Sequence, residues 1–134
     1  MELKDKTVVV TGGGRGIGRE LCRTFAARGA NLAVLDMNQA DLDQTVRDCA
    51  AAGATARSYV VNVTKEDQVI AAMDAIVRDF GSLDVIVNNA GIVKDGLLIK
   101  VKDGAVTGKM TLDQWQAVID VNLKGHFLVG QAIA

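Results

Sequence analysis

A glycine-rich segment near the start of the chain carries the residue types most suited to chemistry. It reads TGGGRGIG over residues 11–18, follows an apolar run at 7–10 and opens a helical pattern. Glycine allows a tight turn and lets an anion approach main-chain N–H groups, while the positive end of the helix dipole adds attraction. A strand, a glycine turn and a helix start in this order predict a phosphate-binding site.

The spacing of the glycines differs from the common G-x-G-x-x-G fingerprint. It follows the pattern T-G-x-x-x-G-x-G, with Gly12, Gly16 and Gly18 at the glycine positions. Asp36 ends the next apolar run, 18 residues after Gly18. An acidic residue about 20 residues beyond such a loop accepts hydrogen bonds from the ribose hydroxyls of a dinucleotide. This context favours a dinucleotide site over the alternative, a plain strand–helix–strand unit with a glycine turn.

The elements that would position these groups alternate between strand and helix. We predict strands at 7–11, 31–36, 55–61 and 85–88, and helices from 16 or 17 to about 28, from the cap at 38 to about 52, and from the cap at Thr64 to about 80. Each helix ends next to a glycine, and a short apolar run follows it. The runs are almost continuously apolar, as in parallel strands covered on both faces. The fold class is therefore α/β, a doubly wound parallel sheet of the Rossmann type with strand order 3-2-1-4.

Residues 97–107 predict a small β-hairpin inserted after the fourth strand. The first half partly alternates between apolar and polar residues, and Asp103-Gly104 is a favoured two-residue hairpin turn. An irregular surface loop is the alternative, because isolated hairpins are only marginally stable.

A long helix is predicted from about residue 112 to the end of the chain. Thr111 and Gln114 match the capping box that begins a helix. Much of its apolar surface comes from Leu112, Trp115, Val118, Ile119, Phe127 and Leu128.

Composition limits the class of protein. The 134 residues are 49% hydrophobic, which fits one folded unit, so we treat residues 1–134 as a single dinucleotide-binding domain. A net charge of −1 gives no reason to expect nucleic acid or an anionic membrane as a partner. No apolar run approaches the roughly 20 residues of a membrane span, and the charged start lacks the apolar core of a signal peptide. Cys22 and Cys49 have no metal-ligand spacing, so we expect free thiols, no metal and a cytoplasmic location.

Four motifs in order carry a resemblance to a known family. They are the loop at 11–18, Asp36, the sequence NNAG at 88–91 and the sequence DVNL at 120–123. With these motifs the chain resembles the N-terminal half of the short-chain dehydrogenase/reductase family, and it looks most like the 3-oxoacyl-acyl-carrier-protein reductases. The resemblance implies hydride transfer between a nicotinamide cofactor and a secondary alcohol or ketone.

The resemblance also implies roles for particular residues. The cofactor-binding set comprises Thr11, Gly12, Gly14, Arg15, Gly16, Ile17, Gly18, Asp36, Asn62, Val63, Asn89, Ala90 and Gly91. Thr11 and the turn at 88–91 would brace the sheet beside the nicotinamide half of the cofactor. Asn62-Val63 stands where the family usually has Asp-Val at the adenine amino group, and asparagine keeps an acceptor oxygen. Asn122 resembles the active-site asparagine that helps to order a water near the catalytic lysine.

Two charged residues bear on the choice of cofactor. Asp36 would accept hydrogen bonds from the adenosine ribose and repel a 2′-phosphate, which favours NAD(H). Arg15 resembles the basic residue that some NADP(H) enzymes of the family use, so NADP(H) stays open.

The family's catalytic serine, tyrosine and lysine have no counterpart here. Tyr59 is the single tyrosine, it falls in the third strand, and the residue four positions later is Val63 rather than lysine. Ser82 lies outside the expected region, and His126, the single histidine, is predicted to be a helix-surface residue. We therefore expect a chain truncated before the C-terminal half and inactive alone.

The parent protein would act on a small-molecule or acyl-carrier-linked substrate as a homodimer or homotetramer. Two alternatives remain: a nucleotide-binding or interaction module without catalysis, and a flavodoxin-like flavin protein. The 3-2-1-4 order and the ribose-directed Asp36 argue against the second alternative.

Overall fold

A computed structural model describes residues 2–134, which alternate strand and helix through the first two thirds of the chain. The strands are β1 (Thr7–Thr11), β2 (Asn31–Asp36), β3 (Ala56–Val60) and β4 (Val85–Val87), and the helices between them are α1 (Gly16–Ala26), α2 (Gln39–Ala51) and α3 (Glu66–Phe80). The four strands form one parallel sheet in the order β3-β2-β1-β4. The predicted fold class and strand order are confirmed.

The central strands are buried because helices cover both faces of the sheet. Every residue of β1 is buried, and alternate residues enter opposite layers of the core. Val9 packs with Leu35 and the α3 residue Ile76, whereas Val8 and Val10 belong to the layer that contains α1 and α2. With both faces of the central strands covered, a ligand can reach these strands at their ends.

Several helix ends follow their local signals, but α1 ends at Ala26, before the predicted end near 28, and α3 begins after its predicted cap. Asn38 caps α2 by accepting the N–H of Asp41, and α3 ends at Gly81 in the left-handed conformation. The predicted cap at Thr64 was wrong, because α3 begins after Lys65, which makes no side-chain cap. The Thr64 hydroxyl instead donates to Asn62 Oδ1 at 2.7 Å, so a local turn uses the group that would have capped the helix.

The segment after β4 contains an antiparallel hairpin of β5 (Ile99–Lys102) and β6 (Ala105–Lys109). Asp103 and Gly104 both have positive φ angles, as a two-residue turn that matches the twist of the strands requires. The second strand continues two residues beyond the predicted boundary at 107. The apolar side chains of the hairpin, Val101 of β5 and Val106 of β6 among them, lie exposed on the surface.

The final helical segment is interrupted by a wider turn. Helix α4 (Leu112–Ile119) begins at the predicted capping box and continues into a π-helical turn (Asp120–Lys124) and then α5 (Gly125–Ala132). The expectation of one uninterrupted helix missed this turn, which is a feature often found at functional sites. Within residues 2–134, no helix is both long and apolar enough to cross a membrane.

Both cysteines are free and buried, as predicted. Burial, with a smaller effect of the neighbouring Cys49, raises the pKa of the Cys22 thiol to about 12. Burial likewise raises the pKa of Cys49 to about 11. Because the reactive form is the thiolate, these side chains serve packing rather than chemistry.

The hydrogen bonds of Asp84 predict how stability responds to acid. Asp84 Oδ2 accepts the backbone N–H of Thr7 at 2.9 Å and the Ser82 hydroxyl at 3.0 Å, and these bonds hold the pKa of Asp84 below its ordinary value. A depressed folded-state pKa stabilises the fold above the unfolded pKa of about 3.9, and this contribution is lost as pH falls further. Asp84→Asn should therefore reduce the acid-induced loss of stability, measured by urea unfolding between about pH 5 and pH 2.

Asp74→Asn, at an exposed position of α3, is the matched control and should keep the wild-type pH dependence. An Asp84→Asn protein whose stability falls as steeply with acid as the wild type would contradict the assignment.

Candidate functional site

The loops after β1, β2 and β4 surround a cavity of about 510 Å³. The carboxyl ends of parallel strands share one edge of the sheet, which is where ligands bind in such folds. The residues of the predicted cofactor-binding set that line the cavity are Gly12, Arg15, Gly16, Ile17, Gly18, Asp36, Asn62, Val63, Asn89, Ala90 and Gly91. The volume lies within the usual range for small-molecule sites.

The three other predicted site residues lie behind or beside this cavity. Thr11 is fully buried at the end of β1, and Gly14 contacts Asp36 through its backbone N–H. Asn122 lines a neighbouring cavity of about 310 Å³, which shares Ile92 with the larger one. The structure therefore brings the whole predicted set to one edge of the sheet.

Thr11 and Asn89 join the loop after β1 to the loop after β4. The Thr11 hydroxyl oxygen accepts the backbone N–H groups of Asn89 and Ala90, both at 3.0 Å. The Asn89 amide nitrogen donates to the carbonyl oxygens of Thr11 and Gly12, both at 3.1 Å. Asn88 is exposed, so among the two adjacent asparagines the bracing contacts come from Asn89.

The glycine loop packs tightly and presents backbone donors. A Cβ on Gly18 would collide with the carbonyl oxygen of Gly12, so no side chain fits between the loop and α1. The Arg15 side chain makes no cap, and the first backbone bond into the helix runs from Arg19 N–H to the Arg15 carbonyl at 3.2 Å. The N–H groups at 16–18 precede that bond and can serve an anion.

The Asp36 carboxylate is oriented by backbone donors at the end of β2. Its Oδ2 accepts the N–H of Gly14 at 3.0 Å, and its Oδ1 accepts the N–H of Met37 at 2.7 Å. A Cβ on Gly14 would lie only 2.8 Å from Asp36 Oδ2, so glycine leaves the space that the carboxylate occupies. Arg15 lines the same cavity with an exposed side chain.

Arg19 and Thr45 hold the glycine loop from behind, and sequence reasoning missed both. Arg19 Nε donates to the Gly14 carbonyl at 3.0 Å, and the fully buried Thr45 hydroxyl lies 3.0 Å from the Gly13 carbonyl. These two loop carbonyls are satisfied by side chains of α1 and α2, not by a ligand. Thr45 lies 32 residues beyond Gly13 in the sequence, so no local signal would have found it.

Asn62 reaches the cavity, but its acceptor oxygen is already engaged. Asn62 Oδ1 accepts both the N–H of Thr64 at 3.0 Å and its hydroxyl at 2.7 Å. The neighbouring Val63 is buried against Gly125 of α5. The carbonyl group expected to face an adenine therefore forms a turn within its own loop.

Two side chains of the final helical segment contact the loop after β4. Asn122 Oδ1 accepts the N–H of Ile92 at 2.8 Å, and its Nδ2 donates to the Ile92 carbonyl at 2.9 Å. His126 Nε2 lies 3.1 Å from the Ala90 carbonyl oxygen. The prediction that His126 is a helix-surface residue was wrong, because the ring is partly buried against this loop.

Tyr59 lies away from the cavity. Tyr59 lies on the outer strand β3, and its hydroxyl donates to Asp79 Oδ2 of α3 at 2.8 Å. Burial and this hydrogen bond raise the pKa of Tyr59, which makes proton transfer near neutral pH harder. Across residues 2–134, no three or more His, Cys, Asp or Glu side chains gather as metal ligands.

The strand order and the glycine loop at the end of β1 define a doubly wound α/β protein of the Rossmann type. A family model described as short chain dehydrogenase matches residues 6–134. The chain belongs to the short chain dehydrogenase family.

Curated relatives and solved structures agree with this assignment. The chain is 37% identical over 133 residues to the 3-oxoacyl-(acyl-carrier-protein) reductase FabG of Thermotoga maritima, covering 99% of this chain and 50% of that protein. It is 31% identical over 126 residues to human 17-beta-hydroxysteroid dehydrogenase 13, covering 94% of this chain and 39% of that protein. The crystal structure of an NAD⁺-bound xylitol dehydrogenase superimposes with a TM-score of 0.85 and 35% identity, over 99% of this chain and 48% of that chain. The chain thus spans about half the length of the relatives it matches.

The Thr11 hydroxyl provides a test of how the two loops are joined. Thr11→Val keeps the shape of the side chain but leaves the Ala90 N–H without an acceptor and the Asn89 N–H with the Val87 carbonyl alone, at 3.0 Å. This should cost about 1–3 kcal/mol of unfolding free energy. Thr11→Ser keeps the oxygen and should recover most of this loss. Both are measured by urea denaturation.

Thr7→Val is the matched control on the same strand, since the buried Thr7 hydroxyl has one contact, with Ser82. Equal losses in Thr11→Val and Thr7→Val would contradict the special role of Thr11.

Proposed function

We propose that this chain binds a nicotinamide dinucleotide and forms the cofactor-binding half of an oxidoreductase that interconverts a secondary alcohol and a ketone. The observation that carries the proposal is the convergence of Asp36, the glycine loop and the 89–91 loop on one cavity. The family membership and the NAD⁺-bound relative support the same cofactor class.

The order of the strands sets the direction in which the cofactor would lie. Asp36 follows β2 and would accept hydrogen bonds from the adenosine ribose. The donors at 16–18 follow β1 and would hold the pyrophosphate. Ala90 and Gly91 follow β4, on the far side of β1 from Asp36, and would contact the nicotinamide half. The adenine would lie beside Asn62, but the Asn62 side-chain oxygen already accepts two hydrogen bonds from Thr64.

A bound nicotinamide supplies a carbon that accepts or donates hydride. The residues of this chain would bind and orient that group, with Asn122 fixing the backbone of Ile92 beside it. The proton would have to move through other residues, because Tyr59 lies on β3 and is bonded to Asp79. We therefore propose that the 134 residues alone bind cofactor without turnover, which is also the behaviour expected of a non-catalytic nucleotide-binding module.

The preferred cofactor follows from the charge at the ribose position. A 2′-phosphate would approach the Asp36 carboxylate, whose position Gly14 and Met37 hold, so we propose a preference for NAD(H). Arg15 lines the same cavity and would offset part of the repulsion, so NADP(H) would still bind, but more weakly.

The substrate class and assembly are proposed from the relatives. An acyl-carrier-linked or small-molecule ketone is the proposed substrate of the whole protein, given the identity to a reductase of that name. A homodimer or homotetramer is the proposed assembly, because Trp115, Leu123 and Phe127 expose large apolar side chains on the final helical segment.

NADH binding tests the proposal directly. The wild-type chain should enhance NADH fluorescence in titration and bind NADH more tightly than NADPH. Asp36→Ala removes both the ribose acceptor and the negative charge, so the ratio of the two affinities should narrow by about tenfold.

Asp43→Ala is the matched control, because it removes one exposed carboxylate of α2 outside the cavity. It should keep the wild-type ratio. A wild-type chain that binds neither dinucleotide would overturn the proposed function, and an unchanged ratio in Asp36→Ala would remove Asp36 from the ribose site.

A further inference from the structure

We infer that His126 is a positioning residue that fixes the Ala90 peptide for the nicotinamide half of the cofactor, an inference that rests on the proposed function. The observation is the 3.1 Å contact between His126 Nε2 and the Ala90 carbonyl oxygen. A carbonyl oxygen can only accept a hydrogen bond, so the Nε2 atom carries the proton and donates it.

The backbone of Ala90 is held by hydrogen bonds on both its N–H and its carbonyl group. Its N–H donates to the Thr11 hydroxyl at 3.0 Å, and its carbonyl accepts from His126. Gly12 closes a third side, since a Cβ there would lie 2.9 Å from the Ala90 Cα. Of these three contacts on Ala90, only the one from His126 comes from the final helical segment.

His126 acts together with Asn122. The two residues are four apart, which places them on one face of the helical segment across the end of the π-helical turn. They contact alternate residues of the loop after β4, with Asn122 on Ile92 and His126 on Ala90. A loop without regular secondary structure is thus fixed to a helix at two points.

The position of His126 within the segment is set by packing. Gly125 lies against Val63, where a Cβ would approach Val63 Cγ2 to 2.8 Å, so α5 sits close to the sheet edge. Leu128 and Val129 bury the next turn of α5 in the core. The buried turn that follows His126 therefore fixes its backbone, and the short side chain brings the imidazole to the Ala90 carbonyl.

The test separates the two halves of the cofactor. His126→Leu removes the donor, and the structure places the contact on the β4 side, away from Asp36. It should weaken NADH binding about tenfold, the equivalent of one lost hydrogen bond, and change ADP-ribose binding by less than about twofold. His126→Gln carries an amide N–H of similar reach and should recover most of the NADH affinity.

Gln131→Leu is the matched control, because it makes a similar polar-to-leucine change at an exposed site of α5. It should bind both ligands like the wild type. As a second measurement, the single histidine makes its ring directly visible to ¹⁵N NMR, which should report a proton on Nε2.

Each outcome decides between the two claims. Equal losses of NADH and ADP-ribose affinity in His126→Leu, or no recovery in His126→Gln, would overturn the positioning role and leave a purely structural one. A ring with its proton on Nδ1 would overturn the contact itself. A wild-type chain that binds ADP-ribose and NADH equally would show that the nicotinamide gains no affinity from this loop, which would overturn the inference. A wild-type chain that binds neither ligand would overturn the proposed function.

Discussion

The site depends on the close approach of two loops that leave neighbouring parallel strands. The Thr11 hydroxyl accepts two backbone N–H groups of the loop after β4, and Asn89 returns two hydrogen bonds to the backbone after β1. These groups are largely removed from water, where an unpaired N–H is costly and a paired one is held firmly. Four hydrogen bonds therefore hold together the two backbone segments that line the cavity at Gly12 and at Asn89–Gly91. Without these hydrogen bonds, the flexible glycine loop after β1 would not be held against the loop after β4.

A second set of contacts controls which backbone groups meet a ligand. The Gly13 carbonyl accepts a hydrogen bond from the Thr45 hydroxyl, and the Gly14 carbonyl accepts one from Arg19. The Gly14 N–H donates to the Asp36 carboxylate. Peptide dipoles that are satisfied from behind leave the N–H groups at the start of α1 facing the cavity, where an anion is favoured. The absence of side chains at Gly14 and Gly18 is what allows the carboxylate and the helix to approach so closely. The loop is thus positioned by polar contacts on its outer side as much as by its glycines.

The other side of the cavity is formed by contacts between a helix and an irregular loop. The π-helical turn widens the helix where Asn122 reaches Ile92, and His126 reaches Ala90 one turn later. The same helical segment exposes large apolar side chains to solvent, and Trp115 and Phe127 are about half exposed or more. The chain spans about half the length of its relatives. In this half the glycine loop, Asp36 and the loop after β4 line one cavity, and Tyr59 lies away from it on β3.

Local signals in the sequence were sufficient for most of the fold. Short apolar runs predicted all four strands of the sheet, and Asn38 and Thr111 marked helix starts, because strand and cap signals are carried by residues close together in the chain. The strand order and the convergence of Asp36 with the glycine loop followed from the rules of parallel sheets. The sequence was not sufficient where several groups compete for one partner. Asn62 Oδ1 accepts the hydroxyl of Thr64, two residues away, and Thr64 does not cap α3. His126 Nε2 lies 3.1 Å from a carbonyl oxygen 36 residues away. The His126 contact depends on how α5 packs against the sheet, and only the tertiary structure decides which donor reaches which acceptor across such a distance in sequence.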